Sequence, residues 1–253
     1  MLTFPNEHGR GLTPSVLVRI RRMDLLHTDI TDNVATLTMD DGKANALGHE
    51  MIDALREGLD RAEADARAVV IVGREGKTSA GFDLTVMQEG PEAAQGLVGA
   101  GAHLMLRIFE FPMPVLIAST GHALAAGAIM LMSADVRIGA DVPAKIGRNE
   151  VALGMPVPKF AVERARHTLS KRHFTEAINL ATIYDPAAAV DTGFLDAVVP
   201  LDELVTTTTQ RAKALADGLS PSGFAATRAN CRRAIADQIR AELDADLATF
   251  TVG

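Results

Sequence analysis

The chain has 253 residues, 47% hydrophobic and 23% charged, which is enough to bury one large core. Its formal net charge of −7 lacks the basic excess with which nucleic-acid binders meet phosphate. Its one cysteine, Cys231, excludes an intramolecular disulfide and a cysteine-based zinc site.

Without Trp and with only 4% aromatic residues, the core must come from Ala, Val, Leu, Ile and Met, which favours close helix packing. No apolar run reaches the length of a membrane-spanning helix, and no membrane partner is expected. Met1 to Arg22 lacks the apolar stretch of a signal peptide. With its Pro5, Gly9, Gly11 and Pro14 it reads as a loose extension, and a true start at Met23 stays open as the alternative. These features predict a reduced, cytoplasmic protein.

In chain order, Leu25 to Met39 alternates around Thr31-Asp32-Asn33 and predicts two short strands in a hairpin. Gly48 to Ala64 sets Met51, Ile52, Leu55 and Leu59 at helical spacing. Ala68 to Val72 is an unbroken apolar run, as expected of a strand buried on both faces of a parallel sheet. Pro91 to Phe109 reads as a helix, and Pro114 to Ser119 and Val136 to Gly139 as further strands. This alternation predicts βαβ units and a mostly parallel sheet. From Lys159 the pattern turns helical: Ala161–Leu169, Lys171–Leu180, Pro186–Gly193, Leu201–Ala216 and Ser222–Leu247, broken by a short strand at Ala197–Val199. The layout is an extension over 1–22, an α/β core over 23–200 and a helical C-terminal region over 201–253.

Three segments have the composition of a site. Thr78 to Leu84 follows a strand with small residues and Gly81, which let a ligand approach the backbone; a plain loop is the alternative. Gly121 to Ala128 runs from a strand end into the apolar helix Ile129 to Met132. The free N–H groups and positive dipole end of such a helix suit a developing oxyanion; close packing of helix on sheet explains the same residues. Ile146 to Pro156 sets one acid, Glu150, among apolar and small residues, which would raise its pKa toward neutral; a surface Glu that pairs with Arg148 is the other reading. His122 is expected to be a hydrogen-bonded structural residue, Asn149 to hold Glu150 or cap a loop, and Asp83 to fix its own loop. Nothing ties Cys231 to these segments, and the amphipathic helix Ala234 to Leu247 is expected to pack on the core or on a neighbouring subunit.

Together the segments resemble the crotonase, or enoyl-CoA hydratase/isomerase, superfamily over Leu25 to Pro200. Lys43-Ala44-Asn45-Ala46-Leu47 is similar to the family's Asn-Ala-Leu segment, and Ser79 to Leu84 resembles its Ala-Gly-x-Asp-Leu loop. Gly121 to Ile138 resembles its glycine-rich turn, helix and Asp-x-Arg-Ile strand; Asn149 to Gly154 resembles its acid-bearing segment, and Thr192 to Pro200 a later one.

The resemblance implies a superhelix of stacked ββα units with a helical C-terminal region, assembled as a homotrimer or a hexamer. It implies an acyl-CoA thioester as substrate, no metal, and no cofactor beyond the CoA within the substrate. Carried over by position, the amides of Ala80 and Ala126 would form an oxyanion hole and Glu150 would be the acid–base residue. Lys43, Ala44, Ala46, Ala80, Gly81, Phe82, Asp83, Leu84, Ala126 and Gly127 would contact the CoA ester. Two departures stand out: the turn reads Ala125-Ala126-Gly127, and the position of the hydratases' second Glu is Ile129. One acid suffices to move a double bond from the 3-enoyl to the 2-enoyl position, which makes an isomerase the expected activity. A hydratase of fatty-acid β-oxidation and a catalytically weak acyl-CoA-binding member are the alternatives.

Overall fold

The structure is a computed structural model that describes residues 25–250, so the expected extension over 1–22 lies outside the described residues. Strands β1 (Leu26–Thr31) and β2 (Val34–Met39) form the antiparallel hairpin, with Thr31 opposite Val34 across the turn. After β3 (Ala46–Leu47) and helix α1 (His49–Asp65) comes β4 (Ala68–Val72), followed by β5 (Gly76–Ser79) and β6 (Gly81–Phe82). Helices α2 (Leu84–Met87) and α3 (Pro91–Glu110) lead to β7 (Val115–Ser119) and β8 (Gly121–Leu124). Helix α4 (Ala126–Ser133), β9 (Val136–Ala140) and β10 (Ile146–Gly147) complete this half. Helices α5 (Lys159–Thr168), α6 (Phe174–Ile178) and α7 (Pro186–Thr192) then alternate with β11 (Ile183–Tyr184) and β12 (Ala197–Val199). Helices α8 (Leu201–Gly218) and α9 (Pro221–Ala248) close the described chain.

The principal sheet has the order β1-β2-β4-β7-β9-β12 and is parallel apart from the β1–β2 hairpin. The unbroken apolar run of β4 has a direct cause. Val69 and Ile71 point into the larger core, while Ala68, Val70 and Val72 pack with Leu204, Ala212 and Ala216 of α8 on the other face. Helix α8 thus belongs to the α/β body and is not a separate cap.

A second sheet, β11-β10-β8-β5, and the β3–β6 pair are absent from the sequence expectation. Their strands are only two to four residues long, too short to show an apolar run or a sustained alternation. Pairing to neighbours, not propensity, makes them strands. The helix expected over Lys171–Leu180 is shorter, Phe174–Ile178.

Candidate active site

The second sheet brings the three segments together. Strand β8 pairs in parallel with β5 on one side and β10 on the other. The loop after β5 therefore lies beside the turn after β8, and the Arg148-Asn149-Glu150 segment leaves β10 next to both. The contact is close: a methyl group on Gly81 would lie 2.9 Å from the Ala125 Cβ and 3.4 Å from the Ala126 nitrogen. Gly81 has φ +102, a conformation that L side chains rarely adopt.

At the β8–α4 turn Ala125 has φ 49 and ψ −116, outside the regions open to L residues without strain. Its N–H donates to Gly147 O at 3.1 Å, and its carbonyl accepts from Ile129 N–H at 3.1 Å as the first turn of α4. Ala126, at the first helical position, has no carbonyl one turn earlier to receive its N–H. Every residue of α4 is buried, so water does not quench the positive end of its dipole from the flanks. Gly127 serves packing, because a methyl group there would lie 2.5 Å from Ser79 O. That is the close-packing reading of this glycine.

The Ala80 assignment needs correcting. The Ala80 N–H donates to Ala44 O at 3.0 Å, so it is already committed within the fold. Two residues on, Phe82 stands opposite Leu47 in the parallel β3–β6 pair, and the Asp83 N–H donates to Leu47 O at 3.4 Å. Amides alternate sides along a strand, so that of Phe82 turns away from β3. Phe82 fills the variable position of the Ala-Gly-x-Asp-Leu motif.

These turns open on a cavity of about 150 Å³. Ala80, Phe82, Ala125, Ile129, Asn149 and Glu150 line it. Its remaining walls are almost entirely apolar and include Val98 of α3, Phe160 of α5 and Phe250. Glu150 is 9% exposed, and among the described residues no other Asp or Glu lines this cavity. The acid is not isolated among apolar groups as expected. Arg148, 1% exposed, grips it with both arms of its fork: Nε donates to Oε2 at 3.3 Å and Nη2 donates to Oε1. Breaking a buried pair of this kind costs about 3–5 kcal/mol.

A neighbouring groove is lined by Ala44, Lys77, Ala80, His122, Leu124 and Lys145. The cations beside the site are thus Lys77 and Lys145. Lys43 is exposed and lines neither space; its carbonyl accepts from Arg74 Nη1 at 2.7 Å. His122 Nδ1 accepts the Lys145 N–H at 2.9 Å, which leaves Nε2 as the donor of the neutral ring. Asp83 caps α2 by accepting the Thr85 N–H at 2.9 Å. Leu84 lines the cavity, yet is 61% exposed. Ala46 pairs with Gly81 in the β3–β6 ladder. Cys231 is exposed and lines neither space.

Sequence reasoning passed over Asp41 and Asn45, which hold the loop that presents Ala44. Asp41 accepts the N–H groups of Lys43, Asn45 and Ala46 at 2.7, 2.9 and 3.1 Å. Burial pushes its carboxyl up, but these three donors and the Arg74 guanidinium outweigh burial and hold it below the usual value. Asn45 is fully buried, and its Nδ2 donates to Met39 O at 3.0 Å and to Lys77 O at 3.3 Å, which ties this loop to β5.

A sequence profile of the enoyl-CoA hydratase/isomerase family matches residues 29–252. The human mitochondrial enoyl-CoA delta isomerase 1 is 31% identical over 231 residues, covering 89% of this chain and 76% of that protein. Among solved structures, an enoyl-CoA hydratase/isomerase family protein from Pseudomonas syringae superposes with a TM-score of 0.88 at 36% identity, covering 91% of this chain and all of that one. An enoyl-CoA hydratase from Mycobacterium marinum does so with a TM-score of 0.84 at 34% identity, covering 90% of this chain and 100% of that one. No helix among the described residues is long and apolar enough to cross a membrane. With the crotonase fold, the convergent turns and the match over nearly the whole length, the chain belongs to the enoyl-CoA hydratase/isomerase family and is an enzyme of the crotonase superfamily.

Proposed function

We propose that the chain is an enoyl-CoA isomerase that converts a 3-enoyl thioester to the conjugated 2-enoyl form with a single acid. The observation that carries this reading is that Glu150 and Ile129 line one cavity that no other carboxylate lines among the described residues. Water addition divides two proton tasks between two groups, whereas a double-bond shift asks one group to take a proton and give it back.

The thioester oxygen sits between the amides of Phe82 and Ala126. Fixed donors of this kind favour the transition state over the substrate, because the charge they meet grows as the reaction proceeds. Glu150 removes a proton from C2, and the electron pair spreads over the thioester and the C3–C4 double bond as a dienolate. The same carboxyl returns the proton to C4, leaving the double bond between C2 and C3. Lys77 and Lys145 offer positive charge to the CoA phosphates in the adjoining groove. The shuttle is complete without a separate cofactor. The exposed Leu84, Val151 and Leu153 are apolar surface that assembly into a homotrimer or hexamer would cover. The acidic, thiol-poor composition fits a cytoplasmic setting.

The hydratase name of the M. marinum protein favours one second reading, addition of water by Glu150 with an unmatched partner. Offering 3-hexenoyl-CoA and crotonyl-CoA separately distinguishes the two, since isomerisation creates the conjugated enoyl absorbance and hydration erases it. Glu150→Gln lowers isomerisation by about 10²–10⁴-fold and leaves CoA-ester binding intact. Near-full activity in that variant removes Glu150 from the mechanism, and tight binding without turnover of either thioester makes the protein a binding member of the family.

A further inference from the structure

The Glu150 carboxylate is held by a guanidinium that makes no other hydrogen bond among the described residues. Arg148 is 1% exposed, and its Nε and Nη2 both end on Glu150, one on each oxygen. Its Nη1 is buried without a hydrogen-bond partner. Planar, two-point contact of this kind fixes direction as well as distance. Arg148 is also placed with care: it follows Gly147, whose φ of +145 and carbonyl bond to Ala125 lock the end of β10 beside the donor turn.

We infer that Arg148 is a positioning residue for Glu150 and the fixed counter-charge of the proton shuttle, an inference that rests on the isomerase reading. When Glu150 takes the C2 proton, one negative charge leaves its carboxylate and appears on the thioester oxygen as the dienolate. When the proton goes on to C4, the charge returns to Glu150. Arg148 stays cationic throughout, so the cavity keeps a buried positive charge whose negative partner moves but never departs. The fork also keeps the carboxylate from turning toward solvent, so one acid can address two carbons in sequence.

The test uses the full-length protein, 3-hexenoyl-CoA for turnover, and butyryl-CoA in D₂O for C2 hydrogen–deuterium exchange, which requires proton removal but no double-bond shift. Arg148→Leu is expected to lower kcat and the exchange rate together by about 10²-fold, with KM unchanged, because misaiming by about 1 Å costs that much. Arg148→Lys keeps the charge but loses the fork, and falls between the two. Because Arg148→Leu strands a buried carboxylate, its fold is compared with that of Arg148→Leu/Glu150→Gln, which carries no charge at the pair. If Arg148→Leu does not fold, Arg148→Lys decides the matter by the same readouts. Wild-type kcat and exchange in a folded Arg148→Leu or Arg148→Lys overturn the inference, as does an effect confined to KM. Loss of exchange in the variants with no isomerisation by the wild-type protein overturns the isomerase reading and leaves the role of Arg148 standing.

Discussion

The Ala80 N–H ends on the Ala44 carbonyl, 3.0 Å away. That one bond ties the loop after β5 to the loop carrying Ala44, and it is why the proposed mechanism takes the amide of Phe82, and not that of Ala80, as oxyanion donor. Titration of ¹⁵N-labelled protein with a non-reactive acyl-CoA should therefore move the amide resonances of Phe82 and Ala126 strongly and that of Ala80 little. A large shift at Ala80 with none at Phe82 reverses the assignment.

Ala125 occupies backbone space in which a side chain is strained, at a cost on the order of 1–3 kcal/mol. Ala125→Gly relieves it and should raise stability by about 1 kcal/mol, a shift of roughly 2–4 °C in Tm. A fall in Tm shows that the turn is not held in the described conformation.

Ile129 is 1% exposed and lines the reaction cavity. Ile129→Glu supplies the second carboxylate of the hydratase arrangement. The variant should gain hydration of crotonyl-CoA over the wild-type chain and lose stability, since a buried charge replaces a packed side chain. A folded variant with no gain in hydration means that the missing acid does not explain the reaction type.

Asp41 is held below its usual carboxyl value, so its contribution to stability is present above the unfolded value near 3.8 and is lost as pH falls through the lower folded value. Asp41→Ala should cost about 1–3 kcal/mol at neutral pH through three unanswered backbone donors. The gap between variant and wild-type stability in urea should close only below about pH 4. A gap that does not depend on pH points to packing and not to the carboxylate.

The sequence made the principal sheet readable because β4 and β7 are apolar runs that burial explains, and the long helices because their apolar residues recur at helical spacing. It hid the second sheet, whose strands are short and are defined by neighbours distant in the chain. The site divides in the same way. Glu150 and Ala126 stand out by their surroundings, but the identity of the first donor depends on which amides β3 and Ala44 consume. Neither bond is a property of residues 78 to 84 taken alone. The Arg148–Glu150 contact was legible as a pair two residues apart; its burial in the cavity wall was not.

The bond from Ala125 N–H to Gly147 O has a mechanical consequence. Gly147 lies three residues before Glu150, so the acid and the second donor hang from opposite jaws of one short caliper, closed by the β8–β10 pairing. The far walls of the cavity come from other parts of the chain, among them Val98, Phe160 and Phe250. Under the proposed function, substitutions there would lengthen or narrow the space for the acyl tail while the caliper keeps its gauge, so substrate length could change without retuning the chemistry.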